Sequence, residues 1–256
     1  MKTVAIIQAR MGSNRLPGKV LKPILGRPML WHIVQRVRAV PSITEVVVAV
    51  PNDEANGVLR SFCSDNGIAF FAGSETNVLD RYYQAAKQFD ADPVLRVTAD
   101  CPLVDPQLIE RLIGAYESGG YDHIGIAAGA GAQLLDKKLF PDGLDAECFS
   151  FLALERSWHA ATDPREREHV TRYMWSNKKI FRCGNITADV DYPRLRLTVD
   201  HPEDFDLVTK IYEALYSDLR PFELSEVMRF LENNPKVGNL NRKWNEAENY
   251  RTVLEK

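Results

Sequence analysis

Val4-Ala5-Ile6-Ile7-Gln8-Ala9-Arg10-Met11-Gly12-Ser13-Asn14-Arg15-Leu16-Pro17-Gly18-Lys19 decides how the rest of this chain is read. The apolar run 4–7 has no polar alternation, which predicts a strand buried on both faces. It runs into a loop holding two glycines, a proline, a serine and the cations Arg10, Arg15 and Lys19. Open α/β sheets place ligands at the carboxyl ends of their parallel strands. Three cations gathered there repel one another unless an anion sits among them, and Gly12 and Gly18 let backbone N–H groups approach it. The stretch therefore predicts a polyphosphate cradle; the competing reading is a solvated basic turn. Two familiar phosphate loops are excluded. Five residues separate Gly12 from Gly18-Lys19 instead of the four of a P-loop, and Val20 stands where that loop needs Ser or Thr. No Gly-x-Gly-x-x-Gly occurs.

Working outward, Pro28 opens an amphipathic helix carrying Met29, Leu30, Ile33, Val34 and Val37 on one side. Strands are predicted at 45–50, 68–72 and 94–98, and helices at 53–65, 78–89 and from Asp105-Pro106 to 117. Strands and helices alternate over the first 120 residues, so right-handed crossovers and a mostly parallel sheet covered on both faces are expected. Beyond that point strands are predicted at 121–128, 179–183 and 194–199, and helices at 151–161, 165–177, 202–216 and 224–232. Residues 129–133 read as a small-residue loop, and the last 20 residues as a polar surface segment. One domain spanning 1–256 is expected, with 1–120 as a nucleotide-binding half and 121–256 as an acceptor and metal half with C-terminal helices.

The bulk properties narrow the function classes. A formal net charge of -3 speaks against a general nucleic-acid binder and makes the basic loop a local feature. The four cysteines, Cys63, Cys101, Cys148 and Cys183, have no spacing that suggests a zinc site or a disulfide framework. Met1-Lys2-Thr3 leads straight into a strand and no apolar run approaches membrane length, so a cytoplasmic protein without membrane or nucleic-acid partners is expected.

Asp100 and Asp200 each end a predicted strand. Two such carboxylates can converge on one Mg²⁺, whose other positions go to water and phosphate oxygens. Helix capping is the alternative. It suits Asp200, which directly precedes a helix, better than Asp100, whose next helix begins only after Asp105. The charged run Arg165-Glu166-Arg167-Glu168-His169-Val170-Thr171-Arg172 is either a solvated helix face or a cleft wall presenting His169 and Arg172 to an acidic acceptor. His32, His123 and His159 lack partners at metal-ligand spacing and are read as structural.

Residues 7–19 resemble the A-R-x-x-S-x-R-L-P-G-K signature of CMP-sugar synthetases, the KDO and acylneuraminate cytidylyltransferases. Val78-Leu79-Asp80-Arg81-Tyr82-Tyr83, Arg96-Val97-Thr98-Ala99-Asp100-Cys101-Pro102-Leu103, Pro141-Asp142-Gly143-Leu144-Asp145, Arg167-Glu168-His169-Val170-Thr171 and Leu197-Thr198-Val199-Asp200-His201-Pro202-Glu203-Asp204 resemble the SpsF-type spore-coat-polysaccharide branch. The likeness spans nearly the whole chain. It implies a GT-A-like (Rossmann-like) nucleotidyltransferase fold, CTP as donor, an acidic sugar as acceptor, Mg²⁺ as cofactor and a homodimer. It also implies that Ala9, Arg10, Gly12, Ser13, Arg15, Lys19 and Arg81 bind the nucleotide, with Arg10, Lys19 and Asp100 in the chemistry and Asp100 and Asp200 on the metal. KDO enzymes have Gly-Asp-Glu-Pro where this chain has Ala99-Asp100-Cys101-Pro102, so the acceptor side differs. Two rival classes stay open. A GT-A glycosyltransferase would ordinarily carry an Asp-x-Asp-like pair, which Asp100-Cys101-Pro102 does not supply, and a non-catalytic nucleotide-binding protein would bind CTP without turnover.

Overall fold

The structure is a computed structural model describing residues 2–128, 139–190, 192 and 195–247. Its elements follow the chain. β1 (Val4–Gln8) leads through the basic loop to a short hairpin, β2 (Pro23–Ile24) and β3 (Arg27–Pro28), then to α1 (Met29–Arg38). β4 (Glu45–Pro51), α2 (Gly57–Asp65), β5 (Ala69–Gly73), α3 (Val78–Gln88), β6 (Val94–Thr98) and α4 (Pro106–Gly119) continue the alternation. β7 (His123–Ile126), β8 (Ala146–Phe149), α5 (Phe151–Ala160), α6 (Pro164–Glu168), α7 (Arg172–Ser176) and β9 (Cys183–Ile186) follow. α8 (Pro202–Leu215), α9 (Leu224–Asn233), α10 (Pro235–Gly238) and α11 (Arg242–Ala247) end the described chain. Local chemistry sets many of these ends. Asp105 accepts from the Gln107 and Leu108 N–H groups at the head of α4, with Pro106 in its first turn, and Gly120 closes it in the left-handed region.

The strands form one sheet in the order β5-β4-β1-β6-β8-β7-β9. β1 pairs in parallel with β4 on one side and β6 on the other, and β4 pairs in parallel with β5. β8 runs antiparallel between β6 and β7, and β9 returns parallel to β7. Ala5 and Ile7 point into a core built with α1, α4 and α8, whereas Val4 and Ile6 point into a second core with α3 and α5. All four are fully buried, which is why the run carries no polar alternation. The chain leaves β1 toward β4 and β5, then crosses back to β6, so the order reverses between β1 and β6. The crevice at the carboxyl ends of those two strands is the topological switch point, where such sheets bind ligands.

The alternating first half and the mostly parallel sheet agree with the sequence expectation; the second half differs at several points. The helix expected over 165–177 is two short ones, α6 and α7, separated by His169–Thr171, with Val170 at φ 47. The strand expected over 194–199 does not form among its described residues, where Arg196 makes only an isolated bridge with Asp142. Residues 178–180 are a turn, and the strand begins at Cys183 instead. Residues 129–133 lie outside the described residues. All four cysteines are free thiols.

Gly143 matters most to the crevice. It sits at φ 98, and a Cβ there would lie 2.3 Å from Thr198 N and 2.5 Å from Leu197 C. The turn thus packs directly on the backbone leading to Asp200, and Leu197 N–H donates to Asp142 O at 2.7 Å. Gly143→Ala is expected to destabilise the fold by roughly 2–4 kcal/mol, from left-handed strain plus a backbone clash. Urea unfolding checks this; an unchanged midpoint would contradict it.

Candidate active site

A cleft of about 590 Å³ opens at the switch point. Its floor is the end of β1 and β6, and its rim is the 9–19 loop. The loop folds on itself, the Met11 carbonyl accepting from Ser13 N–H at 3.0 Å and Gly18 N–H at 3.4 Å. Met11 N–H donates to Asn56 Oδ1 at 2.8 Å, tying the loop to the turn before α2. Gly18, at φ 67, makes the bend that only a glycine takes without strain. Leu16 and Val20 bury their side chains in the core and so fix the placement of Lys19 between them.

Lys19 is the centre of the charge arrangement. Its ammonium donates to Val199 O at 2.6 Å and Asp200 Oδ1 at 2.9 Å, and stands 3.5 Å from Asp100 Oδ2. Arg15 Nη2 reaches the same Asp200 Oδ1 at 2.9 Å. Arg196 Nη2 donates to Asp200 Oδ2 at 2.6 Å. Burial alone would lower the Lys19 pKa, but the Asp100 and Asp200 carboxylates outweigh it and hold it above the usual value. Burial would likewise raise Asp200, and Lys19, Arg15 and Arg196 together hold it below its usual value. Asp100 takes the Thr98 hydroxyl on Oδ1 at 2.5 Å. Asp145, behind it, is pushed up to about 6, first by burial, with Asp100 adding to the rise.

The structure therefore brings Arg15, Lys19, Asp100 and Asp200 to one place. Ala9, Arg10, Gly12 and Ser13 line the same cleft, as do Arg81 and His169. Arg172 is not among the lining residues; its guanidinium lies over the Trp175 ring, 5.4 Å from the centroid. Burial pulls the His169 pKa below its ordinary value, which favours the neutral ring.

Mg²⁺ at the Asp100–Asp200 pair does not fit the residues as they stand. The two oxygens of Asp200 already face three cationic groups, and the space between the carboxylates holds the Lys19 ammonium. Among the described residues no group of three or more Asp, Glu, His or Cys is arranged around a metal position.

Three contributors escaped sequence reading. Arg196, only 1% exposed, pairs with Asp142, Asp200 and Asp204 at once. Its signal was a charged residue inside the apolar stretch Leu195-Arg196-Leu197, four positions before Asp200. Glu147, buried in β8, accepts from Arg96, from His123 Nε2 at 2.9 Å and from the Thr171 hydroxyl at 2.8 Å. Burial alone would raise its pKa, but Arg96, His123 and Thr171 depress it to about 2. Glu147 thereby holds both Arg96 and the 169–171 bend at the cleft wall. Gln8 is the third. Its Oε1, with Nε of Arg81 and Nε of Arg96, is buried without a hydrogen-bond partner among the described residues, and all three residues line the cleft. Buried unpaired polar atoms are costly and rare, and these three gather at one cleft.

Comparison with known proteins gives a consistent result. A family model described as cytidylyltransferase matches residues 4–237. An uncharacterized protein of Methanocaldococcus jannaschii is 31% identical over 257 residues, covering 100% of both chains. The spore coat polysaccharide biosynthesis protein SpsF of Bacillus subtilis is 32% identical over 238 residues, covering 90% of this chain and 94% of that one. A solved cytidylyltransferase from Leptospira borgpetersenii superposes with a TM-score of 0.84 at 28% identity, covering 93% and 97% of the two chains.

Glu147→Gln keeps size and most hydrogen bonds but leaves the Arg96 guanidinium buried without its counter-charge. The expected loss at pH 7 is about 3–5 kcal/mol. The Glu147 pKa is depressed in the fold, so its contribution is complete above about 4.5 and fades as pH falls toward about 2. Denaturant unfolding of both proteins from pH 7 downward should therefore show the gap narrowing in acid. A gap that stays constant would contradict this.

Proposed function

Because this chain belongs to the cytidylyltransferase family, we propose that it transfers CMP from CTP to a hydroxyl of an acidic sugar and releases pyrophosphate. The observation that carries this reading is the cationic loop 9–19 closing on the β1–β6 switch point, with the unpaired donors of Arg81 and Arg96 beneath it. The acceptor oxygen attacks the α-phosphorus, the bond to the bridging oxygen of pyrophosphate breaks, and the proton leaves the acceptor hydroxyl. Charge accumulates on the leaving pyrophosphate. In this reading Arg10, Arg15 and Lys19, all lining the cleft, neutralise it. Little covalent work falls to the protein. Positioning and preorganised charge dominate, as in phosphoryl transfer generally.

An acidic acceptor suits the opposite wall. Arg96 is held there by Glu147, and the 169–171 bend turns His169 into the cleft. A neutral His169 can accept the proton of an attacking hydroxyl or orient it. The kinship with a spore coat polysaccharide biosynthesis protein supports a surface-polysaccharide precursor as product.

Incubation with CTP, Mg²⁺ and a panel of sugar acids, read by pyrophosphate release, tests the proposal. Release that requires both CTP and one of the acids is expected. No release with any acid, alongside consumption of a preformed nucleotide sugar, would overturn it. Arg10 is exposed and lines the cleft. Arg10→Ala is therefore expected to lower kcat/KM for CTP on the order of a hundredfold with thermal unfolding unchanged. Wild-type kinetics in that variant would remove Arg10 from the phosphate site.

A further inference from the structure

Asn241 lies in the polar segment between α10 and α11, outside the cleft lining, yet it is only 1% exposed. Its Nδ2 donates to the Arg196 carbonyl at 2.9 Å and to Asp204 Oδ1 at 2.8 Å. Its Oδ1 is buried without a partner among the described residues. The amide cannot be turned round, because Oδ1 would then face two acceptors. This position therefore requires a donor, and the fold tolerates an orphaned oxygen to supply one. The segment does not need Asn241 for its attachment. The Trp244 ring stacks on His201 with 3.6 Å between centroids, its Nε1 donates to Glu203 Oε2 at 2.9 Å, and Lys243 pairs with Glu203 at 2.6 Å. The two donors of Asn241 matter instead for the groups they touch.

Both of those groups act on Asp200. Asp204 is fully buried, and its Oδ2 accepts Asp200 N–H at 3.0 Å and His201 N–H at 2.9 Å, which fixes the backbone at the head of α8. Arg196 Nη2 holds the Asp200 carboxylate at 2.6 Å, and Asp200 Oδ1 in turn takes the Lys19 ammonium at 2.9 Å. One amide thus bonds the residue that fixes the Asp200 backbone and the residue that orients its carboxylate. We propose that Asn241 is a positioning residue for the transfer step: it sets the place of the Asp200 carboxylate and, through it, of the Lys19 ammonium. The contacts stand by themselves; the consequence for turnover rests on the cytidylyl-transfer reading. CTP meets Arg10 and the 9–19 loop whether or not Asn241 is present, so its binding changes little. The Lys19 charge counts most as charge accumulates on the leaving pyrophosphate, where a displacement on the order of 1 Å is enough to slow the step.

Asn241→Ala is tested beside Val227→Ala, which removes buried methyl groups from α9 outside the cleft lining. Both are expected to lower the unfolding temperature. Assayed well below it, with a sugar acid that the wild type uses, Asn241→Ala should lower kcat for pyrophosphate release on the order of tenfold, with KM for CTP within about twofold. Val227→Ala should keep both constants. If the alanine variant does not fold, Asn241→Ser, which keeps one donor, takes its place with a smaller loss of kcat expected. A second readout needs no turnover. In protein labelled with ¹⁵N-lysine, the Lys19 ammonium signal, sheltered by Val199 O and Asp200, should shift or broaden in the Asn241 variant and stay in place in Val227→Ala. An unchanged kcat and ammonium signal in a folded Asn241 variant would overturn the proposal, as would losses of kcat in both variants that simply follow their losses of stability. If the wild type releases no pyrophosphate from CTP with any sugar acid while the ammonium signal still moves, the cytidylyl-transfer reading fails and the positioning of Lys19 stands.

Discussion

One ammonium group joins three distant parts of this chain. Lys19 comes from the loop after the first strand, Asp100 from the end of β6, and Val199 and Asp200 from a segment about a hundred residues further on. Buried charges are tolerated only when paired and hydrogen-bonded. The positions of the three segments are therefore mutually dependent. Arg196 extends the constraint from behind, and Asn241 holds it in turn by donating to the Arg196 carbonyl at 2.9 Å and to Asp204 Oδ1 at 2.8 Å. The turn at Gly143 closes the arrangement from the side, leaving no room for a side chain against the 197–198 backbone.

The sheet explains why this arrangement lies where it does. β1 is covered on both faces, and the strand order reverses beside it. A loop leaving such a strand is held at one end and has open space ahead of it. Leu16 and Val20 anchor the other end in the core. The far wall uses a different device. Glu147 binds Arg96 and Thr171 together, and Val170 takes a backbone conformation rare for a β-branched residue so that His169 turns inward. The loop end of the cleft is thus held by the strand, and the opposite wall by a buried carboxylate.

Where the determinants were local, the sequence could be read. The apolar run at 4–7, the Asp105-Pro106 start of α4, and the alternation over the first half follow from burial and capping within a few residues. Lys19 and Asp100 were legible because each follows a strand at the same sheet edge; Asp200 was picked out from a predicted strand at 194–199 that does not form, yet its place next to Lys19 holds. The rest depended on partners far along the chain. Arg196 looked like part of a strand at 194–199, yet its side chain is drawn inward by Asp142, Asp200 and Asp204 and the backbone follows it. Residues 165–177 have helical periodicity, but the Thr171 hydroxyl finds the buried Glu147, and the helix breaks there. Arg172 was grouped with His169 by spacing on one helix; the break separates them.

The most direct test is a CTP titration of the ¹⁵N-labelled protein followed by amide chemical shifts. Shifts concentrated in residues 9–19, 99–100 and 197–200 are predicted, because the phosphates reach the loop and disturb every group paired with Lys19. Shifts confined to residues outside that cleft, or no shifts at saturating CTP, would contradict the placement of the nucleotide.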